Sequence, residues 1–202
     1  MPTRRRSRYA RRLPLALVLL LGACEGVLIP ATDNPNEKLG LAHDLLGEGR
    51  VMQARRQTEE AIAIFQRDND RSGLAKAYRQ YAFVALYGGL NPDPVILYDR
   101  KVPLHATPPD LDISDRYLVK AREFAQGTDR YLVAYIDIDL GDNEVSRGKT
   151  QDACRYFDLA QKDFVEAVND KPNVAFFLPK GVTMRRPSDF ASWKKREAHC
   201  PD

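Results

Sequence analysis

Histidine and cysteine are scarce, with three of each in 202 residues, and there is a single tryptophan. The chain has no HExxH, no GxSxG, no phosphate loop and no dinucleotide glycine fingerprint. That removes the common zinc proteases, serine hydrolases and nucleotide-dependent enzymes, and neither a metal nor a cofactor is expected. Long apolar runs are also missing. The longest, LPLALVLLLGA over 13–23, has 11 residues, whereas a bilayer span needs about 20. Nor is there a real excess of positive charge. The formal +3 rests on six arginines within residues 1–23, a stretch with no acid. Without them, 25 basic residues face 28 acidic ones, a net charge of −3. A basic-surface argument for nucleic acid fails on that arithmetic.

The acids and histidines that are present form no catalytic pattern. His43 stands beside Asp44 on a helical stretch. His105 lies in a proline-rich segment with Asp110 and Asp112, and His199 adjoins Cys200. Asp137, Asp139 and Asp142 share a little with a calcium loop, but position 12 counted from Asp137 is Gly148, where such a loop needs an acid. These aspartates read as a solvated helix end or turn. Glu59-Glu60 reads as an acidic first turn favoured by the helix dipole.

What the chain does have begins with an address. MPTRRRSRYARR is a basic head, residues 13–23 are a short apolar core, and small residues follow. Together they describe a cleaved secretory signal over 1–23. Leu21-Gly22-Ala23-Cys24 resembles the lipobox of bacterial lipoproteins. The resemblance implies that Cys24 is acylated and becomes the first mature residue. Several acyl chains hold a protein at a bilayer where one holds it only marginally. Glu25, rather than Asp, at the next position implies the outer membrane, facing the periplasm. Residues 24–36 then read as a tether.

Apolar periodicity predicts helices through most of the rest. One spans 37–55, with Leu39, Ala42, Leu45, Leu46, Gly49 and Met52 on its stripe. Thr58 is placed to cap a second, with Ala61, Ile62 and Phe65 buried. A third runs over 74–86 to Gly88-Gly89. Residues 88–113 read as a proline-rich insert. It holds five prolines and two glycines within 88–111, and is mostly loop with an extended VILY stretch. Helices resume over 114–170, with Ser114, Thr128 and Thr150 as caps. Alternating Ile136, Ile138 and Leu140 compete with the helical reading in the middle helix. A tail over 171–202 carries an extended AFFLP stretch and a short helix from Ser188 to about Arg196.

Cys154 and Cys200 remain once Cys24 is set aside. In an oxidising compartment they are an even pair. A bridge would contribute about 3–4 kcal/mol in the chain-entropy view. The alternative is a buried Cys154 with Cys200 in a frayed end.

The chain also repeats itself. Gly49, Ala61 and Phe65 are spaced by 12 and 4, as are Gly141, Ala153 and Phe157, with Ala160 three further on. Small residues let helices cross closely, and an aromatic fills the gap beyond them. On these residues, and on the stretch AIAIFQRDNDRSGLAKAYRQYA, the chain resembles the tetratricopeptide (TPR) family. The resemblance covers about 38–87 and 114–168. It implies an all-α fold of stacked helix pairs, an α-solenoid interrupted by the insert. It also implies a non-catalytic adaptor whose surface binds another envelope protein or a peptide. The helix faces nominate Arg50, Gln53, Tyr78, Gln80 and Tyr81 for that surface. The alternatives are a structural subunit of an envelope assembly or secretion complex, and an enzyme acting on envelope polymer.

Overall fold

Short polar side chains set several of the helix starts. Asn34 Oδ1 accepts from Asn36 N at 3.0 Å, Asp70 Oδ1 from Gly73 N at 2.9 Å, and Asp129 Oδ1 from Leu132 N at 3.0 Å. Each satisfies a donor that the first helical turn leaves open. The computed structural model describes residues 31–87, 93–97, 100–104, 108–170 and 186–201. The signal stretch, Cys24, His105 and the AFFLP run lie outside them.

The element order is α1 (Pro35–Gly47), α2 (Val51–Arg67), α3 (Arg71–Tyr87), β1 (Asp93–Leu97), β2 (Arg100–Leu104), α4 (Pro108–Ala125), α5 (Arg130–Ser146), α6 (Thr150–Asp170) and α7 (Pro187–Glu197). The helices pack as pairs, α1 with α2, α3 with α4 and α5 with α6, in a solenoid-like arrangement. The first helices of successive pairs also meet, α1 against α3 and α3 against α5. α7 packs on α6. β1 and β2 form one antiparallel hairpin, with Val95 opposite Val102, and β2 comes up to α1 and α3. Among the described residues, no helix is long and apolar enough to cross a membrane.

The pairs share one internal pattern. The α1–α2 turn has Glu48, Gly49 and Arg50 N–H groups donating to Asp44, Leu46 and Leu45 carbonyls. The α5–α6 turn repeats it ninety-nine residues later, with Arg147, Gly148 and Lys149 donating to Asn143, Val145 and Glu144. Gly49 and Gly148 take the left-handed conformation there, at φ 74° and 71°, as helix C-terminal glycines do. In this register the buried residues Ala42, Ala54, Thr58, Ala61 and Phe65 correspond to Gly141, Ala153, Phe157, Ala160 and Phe164. On α4, Ser114, Leu118, Ala121 and Ala125 repeat the spacing of the second helix and are all buried.

Several expectations are corrected. The helix expected over 37–55 is two helices, because the chain turns at Gly49. Gly49 is therefore a turn residue, and Ala42 is the small residue that matches Gly141. Thr58 is no cap: it is fully buried inside α2 and its hydroxyl donates to Ala54 O at 2.9 Å. Ser114 is likewise interior, since α4 begins at Pro108. Thr128 donates to the last α4 carbonyls, at Phe124 and Ala125, while Asp129 caps α5. In the insert, expected to be mostly loop, the described residues form the hairpin β1–β2 and the first turns of α4.

α5 is helical throughout, despite its alternating isoleucines, and much of its surface is buried. Its aspartates are not a solvated helix end. Asp137 accepts two bonds from Arg122 of α4, at 2.7 and 3.3 Å. Asp139 accepts two from Arg79 of α3, at 2.5 and 3.1 Å. Asp142 accepts from Lys194 of α7 at 2.6 Å. At the far end of the stack, Cys154 of α6 and Cys200 beyond α7 are bonded, with their Cα atoms 5.6 Å apart. The bridge fixes α7 where Phe190 and Trp193 pack beside Tyr135 and Phe164.

Candidate functional site

α3 separates two surfaces, because residues two apart on a helix point to nearly opposite sides. On one side, Tyr78 and Tyr81 face α2 and α4. Tyr78 stacks on Tyr117 and Phe124 with ring centroids 6.3 and 5.6 Å apart, and Tyr81 meets Tyr117 at 4.4 Å. Three cations lie over this row: Arg55 over Tyr81 at 5.9 Å, Lys120 over Tyr78 at 4.3 Å and Arg71 over Phe124 at 5.4 Å. Such contacts contribute about 0.5–1 kcal/mol each at exposed sites. The Tyr81 hydroxyl donates to Glu59 Oε1 at 2.8 Å. Burial, together with that charged acceptor, pushes the Tyr81 hydroxyl up to about 12. Hydrogen bonds from Arg55 and then Tyr81 hold Glu59 below its ordinary range. The row is tied down at its polar ends and presents aromatic edges and positive charge.

On the other side, α1, α3 and α5 enclose a cleft of about 300 Å³. Asn36, Leu39 and Gly40 come from α1, Lys76, Arg79, Gln80 and Phe83 from α3, and Leu132 from α5. Leu39, Phe83 and Leu132 make an apolar floor, while Asn36, Lys76, Arg79 and Gln80 contribute donors. The Arg79 guanidinium lies over the Phe83 and Tyr135 rings at 5.2 and 5.4 Å and is held by Asp139. Burial raises the Asp139 carboxyl above its ordinary range, and Arg79 opposes that. Gln80 is only 9% exposed, and its Nε2 has no hydrogen-bond partner among the described residues. A second cavity, of about 310 Å³, opens at the α4–α5 turn, where Arg122, Asp129, Arg130 and Asp163 line it.

The five residues nominated from the sequence divide among three places. Tyr78 and Tyr81 share the aromatic row. Gln80 is in the cleft behind it. Arg50 and Gln53 lie at the α1–α2 turn, where Arg50 Nη1 donates to Glu48 Oε2 at 3.3 Å and Gln53 is exposed. Cys24 lies outside the described residues. Sequence reasoning missed Lys76, Arg79 and Phe83. Their signal was present: with Gln80 they recur at three and four positions on α3, opposite the Leu74–Tyr78–Tyr81 stripe.

Compared with known proteins, the chain matches no family model, no curated protein and no solved structure. Its surfaces are therefore read on their own geometry.

Proposed function

We propose that the chain is a lipid-anchored scaffold of the bacterial cell envelope. It carries TPR-like helix pairs and holds another envelope protein, or an extended peptide, against its surface without acting as an enzyme. The observation that carries this reading is the cleft between α1, α3 and α5, with an apolar floor and donor-bearing walls. Clefts of this make-up are where helical stacks accept ligands. The lipobox-like Leu21–Cys24 supports acylation at Cys24, and Glu25 supports the outer membrane facing the periplasm. The Cys154–Cys200 bridge is in keeping with an oxidising compartment.

Two experiments test the reading. Radiolabelled palmitate should enter the wild-type protein and not Cys24→Ala, which should accumulate unprocessed or soluble. Equal labelling or unchanged membrane attachment would overturn the anchor. In-cell cross-linking followed by purification from detergent-solubilised envelopes should recover a dominant protein partner with the Cys24-intact chain. Recovery of none, from folded and anchored protein, would overturn the scaffold.

A further inference from the structure

The walls of the α1/α3/α5 cleft are unbalanced. No acid lines it. Arg79 already has its carboxylate in Asp139. Lys76 is exposed, and no described residue pairs with it. Gln80, nine-tenths buried in the wall, leaves its Nε2 without an acceptor among the described residues, and a buried donor left unmade is destabilising. That nitrogen is closed off from solvent, so an acceptor meets it when the carboxamide turns about its last bond, a torsion with broad two-fold preferences. The cleft thus offers one unspent positive charge, one unspent neutral donor and an apolar floor, and asks for acceptors in return.

The helix sets the order of these features. Lys76 and Gln80 are four residues apart on α3 and share a face, and Phe83 follows three later. From Lys76 to Phe83 the helix rises about 10 Å. An extended chain in the polyproline-II conformation covers that distance in about three residues and, with three residues per turn, returns its side chains to the same face. Phe83, with Leu39 and Leu132, supplies the apolar lining of the cleft. We infer that this cleft binds an internal, extended segment of a partner protein that presents a large apolar side chain and an acidic side chain three residues apart. The apolar group lies against Phe83, a main-chain carbonyl meets Gln80, and the carboxylate meets Lys76. Main-chain and side-chain acceptors together satisfy both donors, so no free chain terminus is needed.

This inference rests on the scaffold reading and names the chemistry of its partner. The test is fluorescence anisotropy with the purified full chain, Cys24 intact, in detergent. The probe is the N-terminally labelled, C-terminally amidated decapeptide Gly-Ser-Gly-Leu-Ser-Gly-Glu-Gly-Ser-Gly. Binding should be measurable, and should weaken about tenfold or more when the probe's Glu is replaced by Gln or its Leu by Ser. Lys76→Glu should weaken it similarly, and Lys76→Arg should retain it. Gly40 supplies a variant that folds: a Cβ built there meets nothing within 4 Å. Gly40→Leu should fill the cleft and abolish binding while the melting temperature stays level or rises, since glycine is a poor helix former. The inference is overturned if the amidated probe fails to bind, if the Gln probe binds equally, if only a free carboxyl terminus or free glutarate binds, or if Gly40→Leu binds normally. A dominant cross-linked partner together with any of these results sinks the inference and leaves the scaffold standing. Probe binding without acylation or a cross-linked partner does the reverse.

Discussion

The first and third helix pairs have the same turn and the same register, yet they fill the helix crossing differently. In α5–α6 the crossing holds Gly141 and Phe157, and a Cβ on Gly141 would come within 2.3 Å of the Phe157 ring. In α1–α2 the corresponding residues are Ala42 and Thr58, both fully buried. One pair gives up a methyl group so that an aromatic can approach the backbone; the other keeps the methyl and takes a small second residue. The bulk at the crossing shifts to the second helix where the first gives up its side chain, which close packing permits because each pair is filled from both sides. Thr58 manages this with a polar atom because its hydroxyl bonds back to Ala54 O.

The largest break in this comparison is Phe157→Ala. It removes a fully buried ring over a glycine and should cost about 3–5 kcal/mol, read as a lowered urea midpoint, whereas Thr58→Ala should cost far less. Next is the bridge, which only the third pair has. Cys154→Ser with Cys200→Ser should cost about 3 kcal/mol, and hydrogen exchange should speed up first in α7. Equal protection of α7 in both proteins would show that Lys194–Asp142 and the Phe190–Trp193 packing hold it unaided.

A charge effect of about 3 kcal/mol belongs to α5. Burial pushes the Asp137 carboxyl up to about 6, against the opposing pull of Arg122. The folded state therefore binds that proton more tightly than the unfolded state does. The stabilisation is complete below about 4, near the ordinary carboxylate value, and is lost as pH rises through about 6. Asp137→Asn should flatten that stretch of the stability–pH curve. An unchanged slope between pH 4 and 6 would mean that Arg122 fully offsets the burial. The smallest effects sharpen the crossing itself. Gly141→Ala should cost about 1–2 kcal/mol through overpacking despite alanine's better helix propensity, and Ala42→Gly about 1 kcal/mol through propensity. The two substitutions run in opposite directions and both destabilise.

The same crossing shows what was legible in the sequence. Helical periodicity located nearly every helix, and the 12-and-4 spacing of Gly141, Ala153 and Phe157 marked a real crossing. The partner triplet, Gly49, Ala61 and Phe65, was seven residues out of phase. Seven residues are almost two helical turns, so the slip keeps every apolar side chain on the same stripe. Only the turn at Gly49, with its left-handed backbone, separates the two registers. Thr58, Ser114 and Thr128 misled for a related reason. A hydroxyl that can cap a helix can equally bond within one or close its last turn, and the choice depends on burial. The cleft was half legible: Gln80 was named, while Lys76, Arg79 and Phe83 looked like the solvent face of α3. That face becomes a wall only when α1 and α5 are set beside it, a long-range fact that no local period encodes.

The hairpin between α3 and α4 bears on the order in which the stack assembles. The outer pairs are joined by three-residue turns, and the middle pair by 20 residues, 88–107. Closing the longer connection costs about 1.6 kcal/mol more in chain entropy. The outer pairs are thus local hairpins that form early, and the middle pair closes on them later. Shortening 88–107 should then quicken folding more than it raises stability, so the segment works as a kinetic delay placed at the centre of the stack.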